Sequence, residues 1–149
     1  MKYASTEAVT RALCAVAAEH RQVVTSEEHV IGADQVSRRT GDPMLTATDP
    51  DDSLPHEAWL EFGPQPSVNA TVYPDGDVKL TVDGVEFSQV PWEDAPAFLQ
   101  SVYEGLAWVE GRVFPPRRSL VVPVPGDRTY REKIFTRLPL TPWLWNRAR

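Results

Sequence analysis

Apolar residues recur every third or fourth position near the start of the chain and every second position in its middle. Ala8, Val9, Ala12, Leu13, Val16 and Ala17 follow the helical period, with His20 at the end of the stripe. Ser5 is placed to cap this helix, and Glu7 in its first turn suits the helix dipole. The pattern predicts a helix over 6–22. Thr25-Ser26-Glu27-Glu28 offers a second helix start, but Val30, Ile31 and Val36 are too few to decide between helix and strand; a short second helix is the reading preferred here.

The middle of the chain reads as strands. Ala58–Phe62 is a short strand ended by Gly63-Pro64. Val68, Ala70 and Val72 then alternate with Asn69, Thr71 and Tyr73; Val78, Leu80 and Val82 alternate with Lys79 and Thr81; Val85 and Phe87 alternate with Glu86 and Ser88. Asp83-Gly84 is a two-residue hairpin signal that pairs Val82 with Val85 and Leu80 with Phe87. A three-residue loop at Pro74-Asp75-Gly76 sets Val72 against Val78, Ala70 against Leu80 and Val68 against Val82. A four-residue loop would put Val72 opposite Lys79, and a slip of one residue turns a strand's apolar set outward, so the pattern selects the shorter loop. One face of the meander is dry. The other carries Asn69, Thr71, Lys79, Thr81, Glu86 and Ser88, as in an antiparallel sheet covered on one side.

The expected cover follows. Asp94 caps a helix with Pro96 in its first turn, Phe98, Leu99, Val102, Leu106 and Val109 form its stripe, and Gly111 is a natural end. After Pro115-Pro116, Ser119–Val122 reads as a strand, with Pro123 and Pro125 marking an edge position. Tyr130–Leu138 is a candidate last strand, and the aromatic tail from Leu138 to Trp145 reads as extended. The fold class is therefore α+β in one domain: an N-terminal helix, an antiparallel meander sheet of four to six strands, one helix packed on it, and an extended basic and aromatic C-terminal segment.

Composition adds constraints. The chain has 149 residues, 42% hydrophobic and 24% charged, as expected of a folded chain rather than a disordered one. Its 14 prolines all lie at or after Pro43, so helix-permissive sequence comes first and strands and turns later. Residues 41–57 carry Pro43, Pro50 and Pro55 with Asp42, Asp49, Asp51, Asp52 and Glu57, and read as an acidic loop holding at most a short strand at 44–48. No apolar run approaches the ~20 residues of a membrane span, Glu7 and Arg11 make the N-terminus a poor signal peptide, and the single cysteine, Cys14, fits a cytoplasmic setting. The net charge of −6 hides a division: residues 1–111 hold 19 acids and 6 bases, −13, whereas residues 112–149 hold 2 acids and 9 bases, +7.

Familiar chemistry is missing. His20, His29 and His56 are far apart, His56-Glu57 lacks the second histidine of a zinc helix, and one cysteine excludes a zinc ribbon. Asp49, Asp51 and Asp52 lack the glycine and distant glutamate of a calcium loop. No phosphate-binding glycine loop or nucleophile elbow is present, Cys14 reads as a small buried hydrophobe, and His20 as a helix-end residue. No metal or cofactor is expected. Two binding surfaces remain. An acidic one combines Asp49, Asp51, Asp52 and Glu57 with Tyr73, Lys79 and Glu86 on the polar sheet face. A basic and aromatic one combines Arg117, Arg118, Arg131, Lys133, Trp143 and Trp145, groups that in single-strand binders track phosphate and stack on bases. The competing reading of the second is internal: basic strands neutralising the acidic body and tryptophans covering its core.

The run Val90-Pro91-Trp92-Glu93-Asp94-Ala95-Pro96-Ala97-Phe98-Leu99-Gln100-Ser101-Val102, after a strand pair in a small acidic α+β chain, resembles the immunity proteins of bacterial polymorphic toxin systems. That resemblance implies a non-catalytic protein that blocks a cognate toxin by direct binding, with a basic toxin domain as its partner. A nucleic-acid or regulatory module using the basic region, and a small enzyme or ligand-binding domain with a pocket between sheet and helix, stand as alternatives.

Overall fold

The computed structural model describes residues 3, 5–30, 57–63, 66–112, 117–126, 128–134 and 140–148, without the side chains of Val30, Arg112 and Arg117. The expected strand at 44–48 and most of the acidic loop lie outside these residues. The first helix, α1 (Thr6–Glu19), starts as read: the Ser5 hydroxyl accepts the Ala8 amide at 3.1 Å. Val9, Leu13, Val16 and Ala17 are buried. It stops three residues early because Arg21 turns left-handed (φ 58°). The amides of Arg21 and Gln22 then return to the carbonyls of Ala18 and Ala17, which satisfies the helix end.

That reversal corrects the expected second helix. Residues Val23–Val30 form strand β1, antiparallel to β2 (Glu57–Gly63). The apolar signature failed because β1 is an edge strand whose helix-side positions are polar. Glu27 and His29 pair with Leu60 and Ala58. His29 reaches back toward Glu7 of α1 at 3.8 Å. Thr25 bulges out of the ladder, its hydroxyl donating to the Glu61 carbonyl.

β3 (Val68–Val72), β4 (Asp77–Val82) and β5 (Val85–Pro91) complete a five-stranded antiparallel sheet in chain order. Its register follows the hydrophobic alternation: Val72 faces Val78, Ala70 faces Leu80, and Val68 faces Val82. Gly76 takes φ 109° in the three-residue loop, and Asp83 and Gly84 take φ 46° and 87° in the two-residue turn. In β5 a bulge at Ser88 and Gln89 opposes two residues to Lys79. It keeps both Phe87 and Val90 inside although they are three positions apart.

Trp92 is buried at the end of β5, where its indole N–H donates to the Tyr73 carbonyl at 2.9 Å. Helix α2 (Ala95–Tyr103) follows. Asp94 stands at its N-cap position, but its side chain makes no capping bond. The buried carboxylate accepts instead from Arg128 at 2.7 Å and from the Tyr130 hydroxyl at 2.5 Å. The helix is shorter than its apolar stripe suggested. Gly105 (φ 76°) ends it, with the Leu106 amide returning to the Ser101 carbonyl. Leu106 is therefore exposed, and Val109 and Gly111 belong to a strand. Glycine suits this position because its left-handed backbone (φ 76°) strains any residue with a Cβ.

A second, three-stranded sheet contains β6 (Trp108–Arg112), β7 (Arg117–Val124) and β8 (Arg128–Ile134). β7 is its centre, which corrects the edge assignment. The prolines are tolerated because pairing with β6 stops at Val121. Pro123 is then paired only with β8, and its carbonyl, on the vacated side, accepts the Ser101 hydroxyl at 2.6 Å. The last strand begins two residues earlier than expected; residues 135–139 lie outside the description. Both helices and the inner residues Leu120, Val122, Val124 and Ile134 pack with the dry face of the large sheet in one core.

The tail is not extended. Thr141 caps a short helix, α3 (Pro142–Arg147), with Pro142 in its first turn. The Thr141 hydroxyl accepts the Leu144 amide and donates to Asp83 Oδ2 at 2.6 Å. Leu144 is buried in the core, Trp143 packs against it, Ala148 bridges to Val109 in parallel, and Trp145 is 65% exposed. Among the described residues two ion pairs join the acidic and basic regions: Asp94–Arg128, and Glu110–Arg131 at 3.0 Å.

Leu144→Ala is expected to lower unfolding free energy by about 2–4 kcal/mol, the cost of a core cavity. Trp145→Ala should change it by less than about 0.5 kcal/mol. Urea denaturation of the two variants checks the docking of the tail. A second expectation concerns alkali. Burial, then the hydrogen bond to Asp94 and its charge, raise the Tyr130 phenol well above its ordinary value of 10.0. A proton held more tightly in the folded state gives stability that is full below about pH 10 and is lost as pH rises. Urea midpoints between pH 8 and 11.5 should fall, and Tyr130→Phe should flatten part of that fall.

Candidate functional site

The outward face of the five-stranded sheet is built by register. Because side chains of paired residues share a face, cross-strand rows can be read directly. One row runs Ser26, Glu61, Asn69, Thr81 and Glu86. The next runs Glu28, Trp59, Thr71 and Lys79. At the end where the chain leaves β1 and enters β2, alternation places Glu57, Tyr73 and Asp77 on the same side. The middle of these rows forms an open concavity of about 310 Å³.

Trp59 lies in this concavity. Its neighbours in the strand, Ala58 and Leu60, are buried, while the indole is 45% exposed. The indole N–H donates to Glu57 Oε2 at 3.2 Å, which fixes the ring on the polar face. Glu28 stands directly across the strand pair, and Glu57 and Glu61 lie two positions away on either side along β2. Among the described residues the face holds five carboxylates, Glu28, Glu57, Glu61, Asp77 and Glu86, against the single ammonium of Lys79. Glu28 and Glu61 have no cationic partner among the described residues.

Of the acidic surface read from the sequence, Glu57 and Lys79 lie on this face, Glu86 on its β5 margin and Tyr73 at one end. Asp49, Asp51, Asp52 and His56 lie outside the described residues. Sequence reading missed Trp59, Glu28, Glu61 and Asp77. The parity of Ala58, Leu60 and Phe62 already carried the signal for Trp59 and Glu61, whereas Glu28 was hidden by the helical reading of its segment.

The basic and aromatic residues are divided. Arg131 and Lys133 share the outer face of β8, in rows with Trp108 through Val121 and with Glu110 through Ser119. Arg118 pairs with Ile134 and falls on the opposite face. The backbone of Arg117 begins β7. Trp143 and Trp145 sit on α3, which borders β6, the edge opposite β8. Trp143 lies beneath Arg147, 5.7 Å from ring to guanidinium.

The remaining candidates are structural in their surroundings. His20 closes α1 and packs at a tilt against Tyr103, with ring centroids 5.5 Å apart. Cys14 packs against the core, and burial, with a lesser effect from Glu27, raises its thiol pKa. Among the described residues no group of three His, Cys, Asp or Glu side chains could hold a metal ion, and no helix is long and apolar enough to cross a membrane. Comparison with protein families, with curated proteins and with solved structures gives no match for this chain.

Proposed function

We propose that the chain is a non-catalytic protein-binding domain of the immunity type, which neutralises a cognate toxin by direct contact through the open face of the large sheet. The observation that supports this reading is Trp59, a ring fixed in solvent at the middle of a face with a formal excess of four negative charges (five carboxylates, one ammonium). A rigid exposed aromatic supplies contact area at the centre of an interface. Carboxylates around it steer a basic partner and suppress acidic ones. The acidic residues Asp49, Asp51 and Asp52 belong to the segment that joins Val30 to Glu57 in sequence.

The test is genetic and then biophysical. The open reading frame next to this gene is expressed alone and together with the chain. The reading expects growth arrest by the neighbour, rescue by the chain, and a purified complex whose Kd rises at least tenfold in Glu28→Lys with Glu61→Lys, a pair on the exposed face. A harmless neighbour, or rescue and affinity untouched by that charge reversal, would sink it.

One observation favours a second reading, a nucleic-acid module: Trp108, Arg131 and Lys133 lie on one face of the small sheet. Against it, Arg131 is already paired with Glu110. Fluorescence anisotropy with a labelled 12-nucleotide single strand at 20 mM salt decides. Binding that weakens steeply with salt and is lost in Lys133→Glu supports this module, and no binding ends it.

A further inference from the structure

We infer that the side chain the open face receives is an arginine of the partner, laid flat on the Trp59 indole with its guanidinium directed to the carboxylates of Glu28 and Glu61. This rests on the reading of that face as the partner surface and names the chemistry of its central contact. Three features lead to it. The indole carries carboxylates on three sides, Glu28 across the strand pair and Glu57 and Glu61 along β2, and Thr71 on the fourth. Glu57 is engaged with the indole N–H, so Glu28 and Glu61 are the acceptors left without a cationic partner among the described residues. Lys79 ends the same row on the far side of Thr71 and repels a cation there, so the charge of a bound side chain is directed toward β1 and β2.

An indole face attracts any cation, but a planar guanidinium stacks on it while its edge still donates to flanking carboxylates. An ammonium is a compact point charge and meets either the ring or one carboxylate well. The seat therefore discriminates arginine from lysine, although both satisfy the general excess of negative charge. The unpaired carboxylates supply the charge complementarity that commits the face to a cationic occupant.

The full chain labelled with ¹⁵N-tryptophan is titrated at low ionic strength with hexa-arginine amide and, separately, with hexa-lysine amide. The Trp59 indole signal is the one missing from the spectrum of Trp59→Ala. The expected result is movement of that signal with half-saturation at about threefold lower hexa-arginine than hexa-lysine, the contribution of an exposed cation–π contact. Trp59→Ala should bind both peptides alike. If the Trp59 signal moves at the same concentration of either peptide, the arginine seat fails and the acidic face stands. If neither peptide moves it, both the seat and the reading of this face fail.

Discussion

Asp83 ties three parts of this molecule together, the β4–β5 turn, the start of β3 and the last helix. Its left-handed backbone starts the turn that fixes β4 against β5. One carboxylate oxygen accepts the Ser67 amide at 2.7 Å, at the start of β3, and the other accepts the Thr141 hydroxyl that begins the last helix. The register that keeps Val68, Ala70, Val72, Val78, Leu80, Val82, Val85 and Phe87 on one face, and the attachment of the C-terminal helix, therefore meet at one side chain. Two faces of unlike character follow. The inner one is closed by α1, α2 and the smaller sheet, and the outer one is left to Trp59 and its carboxylates.

The meander was legible because two independent signals agreed, the period of two and the loop residues that permit only one register. Where a single signal was available, it misled. The stripe Phe98, Leu99, Val102, Leu106 kept helical spacing past the point where Gly105 turns the backbone, and the glycine was the stronger sign. β1 gave no apolar alternation because Glu27 and His29 occupy its inner positions beside α1. The tail held a threonine followed by proline, which is a helix start, yet its density of prolines read as extension. The site followed the same rule. Lys79 was readable from strand parity, Glu57 was read as the end of the acidic loop although it begins β2, and Glu28 could be placed only once its strand was known.

The division of charge takes a definite form in the fold. Part of the positive C-terminal region is used internally, since Asp94 sits buried beneath Arg128 and Tyr130, and Glu110 holds Arg131. Trp92, Asp94, Phe98 and Leu99 act in this packing: Trp92 pins the β3–β4 loop, and Phe98 makes edge-to-face contacts with Phe87 and Tyr130. Their pattern bears on how the sheet and helix join. The proposed recognition surface is made of other residues, on the opposite side of the sheet.

Val30 and Glu57 are paired neighbours, so the two ends of the intervening segment are held roughly 5 Å apart by the ladder itself. Closing a chain between fixed ends costs free energy that grows only with the logarithm of its length, about 0.6 kcal/mol for each doubling. The sheet thus acts as a socket beside its own acidic face. The ladder fixes where the chain leaves β1 and where it enters β2, so a longer connection between those two residues adds little closure cost to this pair of strands.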